Sequence, residues 1–145
     1  MLIFNSHSEL TTHLDALRTS QQVGLVPTMG ALHLGHLSLV QRAMADNQVV
    51  VISIFVNPTQ FNNPEDLAKY PRTLAADVTL LETLKGNLVV FAPTVEDIYG
   101  SNPQSTAFDF GGLELQMEGK FRPGHFDGVG TIVKRLFEIV RPAKA

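Results

Sequence analysis

The sequence predicts an α/β fold built on a parallel sheet, and three observations lead there. Short, nearly all-apolar segments, VGLVP at 23–27, VVVISIFV at 49–56 and NLVVFAP at 87–93, alternate with stretches that repeat apolar residues at helical spacing. Alternation of strand and helix demands parallel strands joined by crossover helices. The middle segment is apolar at nearly every position, as a central strand covered on both faces requires. These observations point to a doubly wound, Rossmann-like α/β domain, with ligands expected in the loops past the carboxyl ends of the strands.

Each element has its own reason. Ser6 and Glu9 have the S-x-x-E spacing of a capping box, which predicts a helix over 7–19 with Leu10, Leu14 and Leu17 on one face. The strand at 23–27 runs into the turn TMGALHLG. A helix over 35–46 follows, carrying Leu37, Val40 and Met44. After the strand at 49–56 comes a long loop, NPTQFNNPEDLAKYPRT, punctuated by Pro58, Pro64 and Pro71. Leu74, Val78, Leu81 and Leu84 mark a helix over 73–85, which Gly86-Asn87 ends. The strand at 87–93 leads through PTVEDIYG to an expected fourth strand, STAFDF at 105–110. The glycine-rich loop GGLELQMEGKFRPG then enters a helix over 126–140 whose apolar face is Val129, Val133, Leu136, Phe137 and Val140.

Composition narrows the function classes. The 145 residues suffice for one compact domain with a substantial core, and 44% hydrophobic against 17% charged residues excludes a disordered or fibrous chain. A net charge of −3 gives no reason to expect a nucleic-acid partner. The absence of cysteine excludes disulfides, thiolate catalysis and cysteine-ligated zinc. MLIFNSHSEL lacks the form of a signal peptide, and no apolar run approaches the roughly 20 residues of a membrane span. The expected location is the cytoplasm, with no membrane contact. The chain stops at IVRPAKA directly after an apolar helix, which reads as an entry into a further element. The expectation is one N-terminal domain, 1–145, of a longer protein.

The segment PTMGALHLGHLSLV carries the chemistry. A loop between a parallel strand and a helix offers unpaired backbone N–H groups and the positive end of the helix dipole to an anion. Glycine lets backbone approach a phosphate, and imidazoles at 33 and 36 can donate hydrogen bonds to charge developing on a transferring phosphoryl group. H-x-G-H in this setting points to adenylyl transfer with the phosphates of ATP at the helix mouth; neither G-x-x-x-x-G-K-[ST] nor G-x-G-x-x-G is present. The bland alternative is a surface loop in which Gly30 and Gly35 serve only the turn. A zinc site is a weaker rival, because no carboxylates accompany the histidines. In FVNPTQF, the amides Asn57 and Gln60 sit at a strand's carboxyl end and suit a hydroxyl or carboxylate, although an Asn-Pro turn alone would justify the pattern. In LQMEGKFRPGHFDGVG, Glu118, Lys120, Arg122, His125 and Asp127 crowd one loop, and Lys120 or Arg122 suits a phosphate or a partner chain unless the loop is simply solvated.

Taken together, PTMGALHLGHLSLV, FVNPTQF, the YPRT at 70–73 and EGKFRPGHFDGV at 118–129 resemble the signatures of the pantoate–β-alanine ligase family, in its order and spacing, from about Leu25 to Pro142. H-x-G-H alone marks only the wider nucleotidylyltransferase type. The resemblance implies a two-step reaction: pantoate and ATP give pantoyl adenylate and pyrophosphate, and β-alanine then displaces AMP to give pantothenate. It implies ATP as its magnesium complex, no tightly bound cofactor and a homodimer, and no dedicated metal cage is visible in the sequence. It implies that Met29, Gly30, Ala31, Leu32, His33, Leu34, Gly35 and His36 line the ATP site, with His36 catalytic and His33 assisting. Gln60 would bind pantoate and later β-alanine, with Met29 and Asn57 shaping that pocket. Tyr70, Arg72 and Asp77 would support the pocket or the dimer. Glu118, Arg122 and His125 would lie near the site wall and subunit interface.

The chain departs from the family pattern after IVRPAKA, where the family continues into a Gly-Glu-Lys-Asp loop and a second domain with a Ser-Arg motif. Little or no synthetase activity is therefore expected of these 145 residues alone. Three rivals remain. Another adenylyltransferase, for phosphopantetheine, nicotinate mononucleotide or glycerol phosphate, would need basic residues where FVNPTQF has neutral amides. A class I aminoacyl-tRNA synthetase fragment would predict a basic surface. A non-catalytic assembly module would fold without binding substrate.

Overall fold

The computed structural model describes residues 1–61, 63–100 and 125–145, except for the side chains of His125 and Phe126. Four strands, β1 (Leu2–Phe4), β2 (Val23–Thr28), β3 (Val49–Ile54) and β4 (Leu88–Phe91), form one sheet in the order β1-β4-β3-β2. Every pairing is parallel. The described helices are α1 (His7–Leu17), α2 (Leu34–Asp46), α3 (Pro64–Lys69), α4 (Leu74–Leu81), α5 (Val95–Tyr99) and α6 (His125–Val140). A 3₁₀ turn spans Pro58–Gln60.

The strand order accounts for the winding. From β1 to β2 the chain crosses the whole sheet, and from β2 through β3 to β4 it steps back. Right-handed crossovers in opposite directions must use opposite faces of the sheet. Two separate cores match this. On one face Leu10 and Leu14 of α1 and Ile132, Leu136 and Val140 of α6 pack on Val23, Leu25, Val49, Val51 and Val89. On the other, Leu37 and Val40 of α2 and Leu81 of α4 pack on Val26, Val50, Ile52 and Val90. Alternate residues of β3 thus enter different cores, which is why that strand is apolar throughout. The architecture is the α/β parallel sheet that the sequence predicts.

Several local expectations are corrected. The sequence pattern does not announce β1: it is three residues long, and Leu2 and Ile3 remain exposed at the sheet edge, so it carries no alternation to read. Ser6 does stand at the N-cap of α1, but its side chain caps nothing and instead pairs with Ser8 Oγ at 2.8 Å. The first amide of α1, His7 N–H, donates to Asp97 Oδ2 at 2.9 Å, so a carboxylate from α5 satisfies one of the free amides at the start of the helix. The helix expected over 73–85 stops at Leu81 and tightens into i→i−3 bonds through Thr83 and Leu84. The loop at 57–73 contains the 3₁₀ turn and α3, each with proline inside its start and asparagine at its N-cap. The strand expected at 105–110, the loop at 111–124, and Glu118, Lys120 and Arg122 within it lie outside the described residues, as does the side chain of His125.

After α6 the chain turns at Arg141, in the left-handed region at φ 47°, and runs parallel along the free edge of β2. Ala143 N–H donates to Val23 O at 2.8 Å and Leu25 N–H to Lys144 O at 3.0 Å. The Arg18 guanidinium donates to the carbonyls of Val140 and Arg141, capping α6 from α1. Among the described residues no helix is long and apolar enough to cross a membrane.

Candidate active site

The loop between β2 and α2 is held from below by one carboxylate. Asp77, in the first turn of α4 and 2% exposed, accepts Ala31 N–H at 3.1 Å and Leu32 N–H at 2.9 Å, and the Thr73 hydroxyl at 3.2 Å. Gly30 N–H donates to Thr28 Oγ1 at 3.1 Å, and that hydroxyl donates to Ser53 O at 2.9 Å. The clamp stabilises an unfavourable backbone. Gly30 has φ 82° and Ala31 has φ 52°, and a non-glycine residue in that region needs compensation. A side chain on Gly30 would also press on Asp77 and Ile54, each 3.1 Å from the added carbon.

The two histidines cap α2 reciprocally. Gly35 N–H donates to His33 Nδ1 at 3.0 Å, and His33 N–H donates to His36 Nδ1 at 3.1 Å. Their rings lie 4.1 Å apart, tilted by 47°. A backbone N–H can only donate, so each Nδ1 must present a lone pair and each ring carries its proton on Nε2. Burial lowers the His36 pKa below the ordinary histidine value, His33 lowers it further, and Asp77 opposes them. The cap favours the neutral form by the same logic.

This geometry corrects one expectation. The sequence suggests loop amides that are unpaired and ready for an anion. Those of Gly30, Ala31, Leu32, His33 and Gly35 are instead bonded to Thr28, Asp77, His36 and His33. The imidazole Nε2–H groups are then side-chain donors at this mouth.

His36 meets the second motif across a cavity of about 340 Å³ at the carboxyl ends of β2 and β3. Its wall includes Thr28, Met29, His36, Phe55, Gln60 and Tyr70, and α6 closes one side with Val129, Ile132, Val133 and Leu136. The volume lies at the lower end of the ligand-pocket range of roughly 300–1,000 Å³. Gln60 is mostly buried, and its Nε2 donates to Met29 Sδ at 2.8 Å. Asn57 is fully buried and does not line this cavity. Its Nδ2 donates to Gly128 O at 2.9 Å and Gln60 Oε1 at 3.2 Å; its Oδ1 accepts from Tyr99 Oη at 2.6 Å and from Thr59 Oγ1 at 3.1 Å. In this structure the Asn57 amide builds the turn behind Gln60, with both of its ends bonded within the protein.

A second cavity, also about 340 Å³, lies beyond Met29 and Phe55 and includes Gly30, Arg72, Thr73 and Asp77. Arg72 lies along its edge and donates to Tyr70 O at 3.0 Å and Leu67 O at 3.2 Å, holding the Tyr-Pro-Arg corner to the end of α3. Tyr70 packs edge-on against Phe61, with ring centroids 5.9 Å apart. Of the eight residues from Met29 to His36, Met29, Gly30 and His36 line one or other cavity, whereas His33, Leu34 and Gly35 are exposed at the helix mouth. Leu32 packs into the core beneath α2.

Three positions escape a reading of the sequence. Thr28 supplies the hydroxyl that starts the clamp. Tyr99, on α5, anchors Asn57. Gly128 lets α6 cross the 3₁₀ turn in backbone contact: a Cβ there would lie 2.4 Å from both Gln60 Cα and Thr59 O. A glycine inside a helix costs about 1 kcal/mol relative to alanine, and that unexplained cost is the signal that could have found it. Among the described residues no group of three or more His, Asp or Glu side chains is placed to hold a metal.

Comparison with known proteins agrees in sequence and in fold. The family model described as pantoate-beta-alanine ligase matches residues 2–145. The pantothenate synthetase of Flavobacterium psychrophilum is 59% identical over 146 residues, covering 100% of this chain and 52% of the relative. That of Phocaeicola vulgatus is 58% identical, covering 100% and 51%. A crystal structure of pantoate-beta-alanine ligase from Francisella tularensis, complexed with beta-gamma ATP and beta-alanine, superposes with a TM-score of 0.91 at 42% identity, covering 98% of this chain and 54% of that one. Pantothenate synthetase from Thermus thermophilus superposes with a TM-score of 0.87 at 45% identity, covering 98% and 50%. The chain spans about half the length of the curated relatives it matches.

Proposed function

Because the chain belongs to the pantoate-β-alanine ligase family, we propose that it supplies one wall of a site that condenses pantoate with β-alanine at the expense of ATP. The observation that carries the reading is the convergence of His36, Met29 and Gln60, from two separate motifs, on one cavity at the carboxyl ends of β2 and β3. In the first step a pantoate carboxylate oxygen bonds to the α-phosphorus of ATP and the bond to pyrophosphate breaks. In the second, the β-alanine amine attacks the acyl carbon, AMP leaves with the oxygen, and the amine loses a proton.

The residues divide this work by their chemistry. His36 and His33, held as Nε2–H tautomers, donate to phosphate oxygens without first losing a proton, and so stabilise charge on the leaving pyrophosphate. Gln60 orients pantoate, and later β-alanine, from an amide anchored at both ends. Met29, Phe55 and the α6 side chains keep water from the acyl adenylate. Asp77 acts on the reaction only through the loop it clamps. Magnesium enters as part of the nucleotide substrate. The reading extends to a cytoplasmic homodimer and to a second domain that completes the ATP site, both resting on the family resemblance. These 145 residues alone are expected to hold pantoate weakly and to turn over little.

The test has two arms. At the relatives' full length, His36→Ala should lower pantoate-dependent exchange of pyrophosphate into ATP by roughly 10²–10³-fold, the worth of one donor in a dry site. Gln60→Ala should weaken pantoate far more than ATP. Exchange untouched by His36→Ala would reduce His36 to a helix cap, and equal losses of both ligands would sink the Gln60 assignment. Tighter binding of phosphopantetheine or nicotinate mononucleotide than of pantoate would overturn the substrate class.

A further inference from the structure

Behind the cavity, a chain of hydrogen bonds runs from α5 to the cavity wall in one direction. Tyr99 Oη donates to Asn57 Oδ1 at 2.6 Å, Asn57 Nδ2 donates to Gln60 Oε1 at 3.2 Å, and Gln60 Nε2 donates to Met29 Sδ at 2.8 Å. We propose that Tyr99 is a positioning residue for Gln60: acting through Asn57, it holds the oxygen end of the Gln60 amide inward and turns the N–H end to Met29 and the cavity.

Three observations carry this. The Tyr99–Asn57 bond is the shortest in the cluster, and the Asn57 amide it grips is fully buried. In such surroundings hydrogen bonds strengthen one another along a chain. The Tyr99 ring is itself packed, with the Arg135 guanidinium over it at 4.9 Å from its centroid and the Phe55 ring centroid at 6.4 Å. Arg135 Nη1 donates to Ile98 O at 3.3 Å, which ties the cation to the same helix end. The polarity matters for recognition. An N–H end turned toward the cavity suits an oxygen acceptor such as a carboxylate or a hydroxyl. The link to substrate rests on the proposed role of Gln60; the link between Tyr99 and Gln60 does not.

The experiment is NMR on this chain, reading the side-chain amide of Gln60 and its cross-relaxation with the Met29 methyl group. Tyr99→Phe keeps the ring that Arg135 and Phe55 pack against and removes the hydroxyl, with its bonds to Asn57 and Thr59. It should shift both Gln60 amide protons and weaken the contact to Met29 at least threefold, while methyl signals of Val49 and Val51 stay in place. 3-Fluorotyrosine at position 99 alone, a stronger donor of nearly the same shape, should move the Gln60 signals the opposite way; this variant decides the matter if Tyr99→Phe fails to fold. Gln60 signals unchanged in either folded variant would overturn the proposal. A pantoate titration of the unmodified chain separates the two readings: with the Gln60 response present, a chain blind to pantoate counts only against the functional assignment.

Discussion

Protonating His36 puts a hydrogen on the nitrogen that now accepts His33 N–H, so acid opposes the cap of α2 directly. Burial and the His33 ring already hold its pKa below the ordinary value. The unfolded chain, with His36 near the ordinary value of about 6.5, then binds more protons than the folded one, and stability rises with pH in that window. The contribution is complete above about pH 6.5 and is lost as pH falls through the lowered folded value. Urea midpoints should be flat at neutral pH and decline below it, and His36→Gln should flatten part of that decline. Asp77 makes a separate prediction. Its two oxygens accept two amides and a hydroxyl, and asparagine would set an NH₂ group against one of those donors. Asp77→Asn should cost about 2 kcal/mol, within the range for hydrogen bonds to a charged group, read as a lower urea midpoint. An unchanged midpoint would mean that the Gly30–Leu32 turn stands without its clamp.

At the scale of elements, the cavity depends on how closely α6 approaches the turn after β3. Gly128 brings helix backbone against Thr59 and Gln60, and Gly128 O accepts from Asn57. Gly128→Ala would gain helix propensity, yet its methyl would sit 2.4 Å from backbone atoms that have no flexible end to yield. We expect net destabilisation of about 1–3 kcal/mol, as overpacking typically costs, with the largest amide shifts at Thr59 and Gln60. A stabilised variant would show that α6 is free to move off the turn. The same contact explains why the loop after β3 holds a short ordered segment that its sequence reads as irregular. The Pro58–Gln60 turn is capped locally by Asn57 and covered by α6, which is remote from it in sequence.

For the molecule as a whole, the sheet order makes stability uneven. β3 lies between β2 and β4 and sends alternate side chains into both cores. β1 is a three-residue edge strand with exposed Leu2 and Ile3. Amides of Val50, Val51 and Ile52 should exchange with solvent only through global unfolding, and those of β1 by local opening, several orders of magnitude faster. Equal protection of β1 and β3 would mean that the sheet opens as one unit.

What the sequence determined by itself was the pattern that burial imposes on a linear chain. Apolar runs without polar alternation marked strands covered on both faces, helical spacing marked α1, α2, α4 and α6, and the H-x-G-H and FVNPTQF motifs marked two of the loops that form the cavity. These features are local, and each is set by residues within a few positions of one another. Tertiary structure alone decided the partners. It took Asp77 to occupy the loop amides, Asp97 to accept the first amide of α1, Tyr99 to anchor Asn57, and Gly128 to admit α6. The physical reason is that a hydrogen-bond donor or a missing Cβ has no preferred sequence distance. Whichever residue the fold brings within about 3 Å satisfies the group, and no periodicity records that choice.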